Sequence, residues 1–292
     1  MELYLAALRP RVQGRAIERV RIASPFFLRT YDPPATALEG RTIEHLSRLG
    51  KRLVFALDGG LFIVVHLMIA GRLRWRERGA AIPAKLGLAA FDFADATLLF
   101  TEAGSRKQAS LHVIRGAAGV EAMDPGGADV FALSIEAFAA ALRGGNHTLK
   151  RMLTDPHVFS GIGNAYSDEI LHAARLSPIK LTRALTEDEI ARLYEATRGV
   201  LSDWTSRLQA ETGDKFPEKV TAFRPGMAVH GRYGQPCPRC GAPVQRIVYA
   251  RNESNYCAVC QTDGRLLADR ALSRLLRADW PRTLEEAEKR RR

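Results

Sequence analysis

The chain has 292 residues, of which 46% are hydrophobic and 26% charged. That is an ordinary balance for a folded soluble protein and enough chain for one large core or two to three smaller ones. The 43 Lys and Arg against 32 Asp and Glu leave a formal charge of +11, which favours polyanionic partners through counterion release without naming one. No apolar run reaches the length of a membrane span, and no basic stretch followed by an apolar core marks a secretory signal. The expected location is cytoplasmic, with no membrane partner.

The chain opens with MELYLAALRPRV, where Leu3, Ala6, Ala7 and Leu8 recur at helical spacing with Leu5 and Val12 beside them. This predicts an amphipathic helix from the second residue, with no Ser, Thr, Asp or Asn ahead of it to cap its first N–H groups. From residue 15 to about 115 the pattern is that of strands. AIERVRI is followed by KRLVFAL and LFIVVHLMI, joined at Asp58-Gly59-Gly60, and then by LGLAAFDF and TLLFTEA, joined across Ala94-Asp95-Ala96. MDPGGAD at 123–129 reads as a linker. The period then becomes helical. SIEAFAAALRGG starts on Ser and ends on Gly, and TEDEIARLYEATRGVLSDWTSRL opens with Thr186 and Glu189 at capping-box spacing. A polar segment near 211–226 leads to the cysteines, and there is no internal repeat.

All four cysteines lie in CPRCGAPVQRIVYARNESNYCAVC, as Cys237-x2-Cys240, sixteen residues, and Cys257-x2-Cys260. Two such pairs suit one tetrahedral Zn²⁺ held by four thiolates, with a β-hairpin between them. Four protein ligands leave no open position for water, so one structural zinc ion is expected. Two disulfides are the alternative, disfavoured in a reducing compartment.

HGRYGQPCPRCG at 230–241 and DPHVFSGIGNAYSDEILHAARLSP at 155–178 resemble the two signature segments of the formamidopyrimidine-DNA glycosylase and endonuclease VIII family. The resemblance covers most of the chain and implies an α+β multidomain protein. Its parts would be an N-terminal β-sandwich catalytic domain over 1–124, a helical helix–two-turn–helix DNA-binding domain over 130–225, a zinc-finger β-hairpin over 226–262 and a basic C-terminal helical extension over 263–292. It implies a monomeric DNA repair glycosylase and abasic-site lyase. Such an enzyme excises oxidised bases from damaged double-stranded DNA and nicks the abasic site by β-elimination.

In SGIGNAYSDEI two glycines and an Asn precede a helix, so exposed N–H groups and the Asn164 amide can grip a phosphate, as the matching Asn does in the family; a plain helix cap is the alternative. Gly161 and Gly163 fit tight backbone turns. Lys150, fourteen residues before Asn164, falls on the family's lysine that faces the damaged nucleotide and its phosphate. Lys51 resembles the lysine that touches backbone phosphate and assists elimination, and His66 a histidine that packs and contacts DNA, with a satisfied core histidine as the alternative. The interval from Lys51 to His66 is one residue longer than the pattern and calls for a changed hairpin turn. The DNA-binding set implied is thus Lys51, His66, Lys150, Gly163, Asn164 and Arg251.

The sequence also departs from the family. Ile69 stands where members that excise 8-oxoguanine carry a methionine, and TEAGSRKQASLH lacks their Arg-x-Phe wedge. Arg106, Lys107 and Gln108 occupy that stretch instead, so purine or pyrimidine preference stays open. The family's finger arginine, which grips flanking phosphates and aids the second elimination, falls near position 252, where Asn252 follows Arg251; a slip of one residue turns a strand side chain to the other face, and the resemblance carries both roles to Arg251. Beyond the finger, Leu266, Ala271, Leu272, Leu275 and Leu276 form an apolar stripe among Arg270, Arg274 and Arg277, predicting a helix stopped by Trp280-Pro281.

In the family the initiator Met is removed to expose a proline, whose secondary amine is the nucleophile, and a glutamate follows it. Here Met1 falls on a later Val of that pattern and Glu2 on the glutamate after it, so six residues of the pattern are missing from the chain as given. The expectation is a start assigned inside the gene. The rival is a natural loss of the active site, leaving a damaged-DNA-binding protein of the same fold. A third class, an unrelated zinc-ribbon nucleic-acid-binding factor, is disfavoured by SGIGNAYSDEI.

Overall fold

The computed structural model describes residues 1–104, 106–218, 220–221, 223–249, 252–268 and 281–289. They gather into two compact units. One is Met1–Pro125 with Thr205–Thr221, the other Gly126–Trp204 with Ala222–Arg292.

The first unit is built on two four-stranded antiparallel sheets. One joins β1 (Arg19–Ile22), β6 (Gly87–Asp92), β7 (Ala96–Glu102) and β5 (Gly71–Glu77) in that order; the other joins β2 (Ile43–Leu49), β3 (Arg52–Leu57), β4 (Leu61–His66) and β8 (Ser110–Arg115). Alternation decides which side chains meet. Leu53 pairs with Val65 and Val65 with Leu111, Phe55 with Ile63 and Ile63 with Val113, and all six belong to the buried core with Phe91, Leu98 and Phe100. Helix α1 (Glu2–Val12) adds Tyr4, Leu5, Leu8 and Val12 to that core and starts without a side-chain cap, and the short helix α2 (Ala117–Glu121) follows β8. Ala6, expected on its apolar face, is exposed; Tyr4 takes the inward position, its hydroxyl accepting the Leu73 N–H at 3.2 Å.

Three strands escape the sequence pattern. In β5 (GRLRWRE) the period of two is present, arginines alternating with Leu73 and Trp75, but only those two large apolar residues carry it, while β2 carries His45 and Arg48 and β8 carries His112 and Arg115, which interrupt their apolar runs. The stretch LFIVVHLMI is not one strand either: β4 ends at His66, and Met68 sits in the left-handed region at φ 54°. The polar segment after the long helix docks on the sandwich. Phe216 lies 6.1 Å from the Tyr4 ring and 6.3 Å from Trp75, and Glu218 bridges Arg74 and Arg76.

The second unit packs α3 (Ile135–Arg143), α4 (Leu149–Thr154), α5 (Asn164–Ala174) and α6 (Glu187–Thr212) around Phe138, Leu149, Leu153, Phe159, Ile170, Leu171 and Leu193. Ser134 caps α3 by accepting the Ala137 N–H. The capping box of α6 closes both ways: Thr186 Oγ1 accepts the Glu189 N–H at 3.3 Å and Glu189 accepts the Thr186 N–H at 3.0 Å. From Thr205 onward α6 groups with the first unit, so the division between the two units falls inside this helix. The finger is the hairpin of β9 (Val244–Tyr249) and β10 (Asn252–Cys257), followed by α7 (Ala258–Thr262). Arg251 lies outside the described residues, as does the predicted stripe of Ala271, Leu272, Leu275 and Leu276 with Arg270, Arg274, Arg277 and Trp280. Leu266 packs with Leu267 against Ile247 and Tyr256.

Candidate zinc centre and nucleic-acid interface

The four cysteines converge. Their sulfurs all lie within 4.8 Å of one another, Cys237 to Cys260 at 4.0 Å and Cys240 to Cys257 at 3.4 Å. A tetrahedral ion with Zn–S bonds of ~2.3 Å requires S–S separations of about 3.8 Å, so the donor set and its spacing fit one Zn²⁺. Burial pushes the Cys257 thiol up, and Cys260 up to about 11, so thiolates form there only when a cation offsets the lost hydration. His172, on α5, places Nε2 at 3.3 Å from Cys237 Sγ; burial holds its pKa down to about 4, so the ring is neutral at pH 7. Gln261 closes the base of the finger, accepting the Cys257 N–H at 2.9 Å and donating to the Leu176 carbonyl at 2.8 Å.

The start of α5 faces solvent. Its cap residue Gly163 contributes no side chain, so the N–H groups of the first turn lack the usual capping oxygen. Asn164 is exposed, and its amide donates one hydrogen to the Glu253 carbonyl of β10 at 2.8 Å, leaving the other for a ligand. Gly161, at φ 87°, takes the left-handed turn expected of it, but Gly163 does not: at φ −114° and ψ 177° its backbone is extended and open to any residue.

Lys150 is placed differently from the family-based expectation. Instead of facing a ligand at the surface it is only 5% exposed, with Nζ 2.5 Å from Asp168 Oδ1 and 2.6 Å from the Asn164 carbonyl. Burial lowers its ammonium pKa, and the Asp168 carboxylate opposes that shift. Asp168 is fully enclosed, its Oδ1 also accepting the Ser254 hydroxyl at 3.0 Å and its Oδ2 lying 2.8 Å from His230 Nδ1. The neighbouring Glu169 accepts the backbone N–H groups of Ala228, Val229 and His230. The clue to Asp168 and Glu169 is their presence side by side in a helix as apolar as NAYSDEILHAA; their partners are too distant in sequence to be read from it.

In the first unit Lys51 is exposed in the turn between β2 and β3, and partial desolvation lowers its ammonium pKa. Arg52 pairs with His66 and His66 with Ser110 across the sheet, so these side chains share the face opposite the core. Burial, then the Arg52 and Lys51 charges, hold His66 down to about 4: it is a neutral imidazole at pH 7. The turn between β3 and β4, Asp58–Gly60, places Gly59 and Gly60 at φ 67° and 68°. Past β4, Ile69 stands 83% exposed, and Gly71 must be glycine because a Cβ there would meet the Leu67 carbonyl oxygen at 2.2 Å. The Glu102 carboxylate accepts the N–H groups of Gln108 and Ala109, folding back the stretch that carries Arg106 and Lys107.

Comparison with known proteins agrees with this arrangement. Residues 1–109 match the formamidopyrimidine-DNA glycosylase N-terminal domain, 124–211 its H2TH domain, and 234–262 a zinc finger found in FPG and IleRS. A formamidopyrimidine-DNA glycosylase of Thermus thermophilus is 34% identical over 272 residues, covering 88% of this chain and 95% of its own length. A formamidopyrimidine-DNA glycosylase-like protein of Mycobacterium tuberculosis is 41% identical over 151 residues, 52% of this chain and 94% of its own. Among solved structures, the MutM (Fpg) protein of Thermus thermophilus superposes with a TM-score of 0.74 at 32% identity, covering 89% of this chain and 96% of its own. A Lactococcus lactis Fpg variant in complex with Fapy-dG containing DNA superposes at 0.78 with 25% identity, covering 89% and 97%. An unrelated zinc-ribbon factor is thereby excluded, and the chain belongs to the formamidopyrimidine-DNA glycosylase family.

Proposed function

We propose that the chain is a repair glycosylase and abasic-site lyase that grips duplex DNA, turns out an oxidised base, cleaves its N-glycosidic bond and nicks the strand by β-elimination. The observation that carries this reading is the exposed, uncapped start of α5. There a helix dipole, unpaired N–H groups and the free hydrogen of Asn164 converge where one phosphate can sit, braced by the hairpin of a four-thiolate finger. A formal charge of +11 supplies the long-range attraction.

In this reading Lys51, exposed in the turn between β2 and β3, contacts a backbone phosphate and assists elimination. His66, neutral at pH 7, acts by packing and hydrogen bonding rather than as a cation. Gly163 lets a phosphate approach the helix start, Arg251 grips the flanking strand on sequence grounds alone, and the protein works as a monomer on DNA in the cytoplasm. In the family the nucleophile is an amino-terminal proline. A free secondary amine, with an α-amino pKa near 7.7–8, adds to C1′ as the base departs; the C1′–O4′ bond then opens, O4′ taking a proton, to leave an iminium ion, and loss of a C2′ proton breaks the C3′–O bond and expels the 3′ phosphate.

The test is excision across duplexes carrying an oxidised purine, an oxidised pyrimidine or no lesion, using the chain preceded by all six residues of the family pattern that come before Met1. Nicked strand from at least one oxidised base and none from undamaged DNA is expected. Tight binding with no release from any lesion would instead make it a damaged-DNA binder.

A further inference from the structure

The second unit buries a closed ring of polar groups, and what that ring holds still is the residue just assigned to a phosphate. Asp168 sits at its centre. On one side Lys150 Nζ joins Asp168 Oδ1 to the Asn164 carbonyl, at 2.5 and 2.6 Å. On the other, Ser254 joins the same oxygen to β10, whose preceding residue Glu253 takes the Asn164 amide at 2.8 Å. His230 occupies Oδ2, so the carboxylate has no free direction in which to turn. Both the backbone and the side chain of Asn164 therefore trace back to one buried carboxylate.

We propose that Asp168 is a positioning residue for the DNA phosphate. Through Lys150 and Ser254 it fixes both ends of Asn164, and Lys150 acts on DNA only through Asn164. The proposal rests on Asn164 as a phosphate ligand.

The alternative, Lys150 as a direct phosphate ligand, conflicts with its 5% exposure and with two of its three donors being committed at short distance. Nor is stability a sufficient reason for the ring. A buried ion pair contributes little net stability over an apolar filling of the same volume, because desolvation offsets the attraction, whereas it does fix geometry. The geometry fixed here is that of an exposed amide with one hydrogen free.

The experiment is a binding cycle with the zinc-loaded 292-residue protein and a duplex carrying a tetrahydrofuran abasic analogue, followed against salt concentration. Asp168→Asn is expected to weaken binding about tenfold in the parent protein and less than about twofold in an Asn164→Ala background, because residues acting through one another are non-additive. Lys150→Met is expected to weaken binding while leaving the slope of log Kd against log salt unchanged. A slope smaller by about one charge would mean that Lys150 meets the phosphate itself, and would overturn the proposal. Equal losses from Asp168→Asn with and without Asn164 would overturn it too. Should Asp168→Asn lose zinc or its cooperative melt, Ser254→Ala and Ser254→Thr decide. The first, which removes only the hydroxyl, is expected to weaken binding about threefold and the second, which keeps a hydroxyl at the same place, to restore it; a Ser254→Ala protein that binds like the parent refutes the ring's role. The parent's preference for the analogue over intact duplex tests the functional reading separately, and the cycle can be read on either duplex.

Discussion

The two units are held together by different physics. In the sandwich unit the interior is mainly apolar: alternate residues of eight strands and one face of α1 meet in a single core, and its buried polar side chains, Asp92, Thr97, Thr101 and Glu102, lie near the ends of β6 and β7, as where Arg21 donates to both carboxylate oxygens of Asp92. The helical and finger unit has an apolar helix core as well, but it also encloses Lys150, Asp168, Glu169, His172, His230 and Ser254, and it draws four thiols to one point. The first unit finds its register chiefly through burial of apolar surface, at about 25 cal/mol per Å². The second needs particular partners and a cation. What the contrast teaches is that the stiffest part of the candidate DNA interface is also the part least able to stand on hydrophobic burial.

The largest break between the units is expected from metal removal. One zinc per chain, measured by mass spectrometry, should be lost on chelation or in Cys257→Ser, with folding energy on the order of 10 kcal/mol going with it. Hydrogen exchange should then show β10 amides unprotected while β3 and β4 stay protected; protection of β10 after metal loss would contradict the division. The converse cut is Phe100→Ala, which empties the sandwich core at a cost of about 3–5 kcal/mol in denaturant unfolding and should leave the zinc content unchanged.

A finer contrast comes from pH. His66 is held down to about 4, below its unfolded value near 6.5, so between those values the unfolded chain binds the extra proton. Its contribution is therefore neutral above pH 6.5 and increasingly destabilising as pH falls toward 4, by at most about 3 kcal/mol. His66→Gln should flatten that limb of the stability–pH curve relative to the parent; an unchanged slope would mean that His66 is not buried as a neutral ring. Smallest of all is the exposed pair of Arg143 with Glu187, where Arg143→Gln should shift unfolding by less than about 0.5 kcal/mol and belong to neither mode of stabilisation.

Much of this architecture is legible in the sequence, for reasons that follow the same divide. Strands β3, β4, β6 and β7 announce themselves by apolar runs between turn residues, the capping box of α6 is local to four residues, and the two Cys-x2-Cys pairs have the spacing of one tetrahedral zinc site. β5 is hidden by arginines whose heads reach Glu218, and that ion pair joins positions over 140 residues apart. The Asp168 ring is hidden for the same reason. Ser254 lies 86 residues from Asp168 and His230 62, so no window along the chain contains the cluster, and a lysine expected at the surface proves to be its interior half. Sequence pattern captures interactions that repeat; it misses those that close once, across the fold.

The most direct measurement is the affinity of the zinc-loaded chain and of its Asn164→Ala variant for two duplexes of one sequence, one intact and one carrying a tetrahydrofuran abasic analogue. The account predicts at least about tenfold tighter binding of the damaged duplex and loss of most of that advantage in the variant, an amount in keeping with charge-assisted contacts to phosphate. Equal affinity for both duplexes, or a variant indistinguishable from the parent, would contradict it.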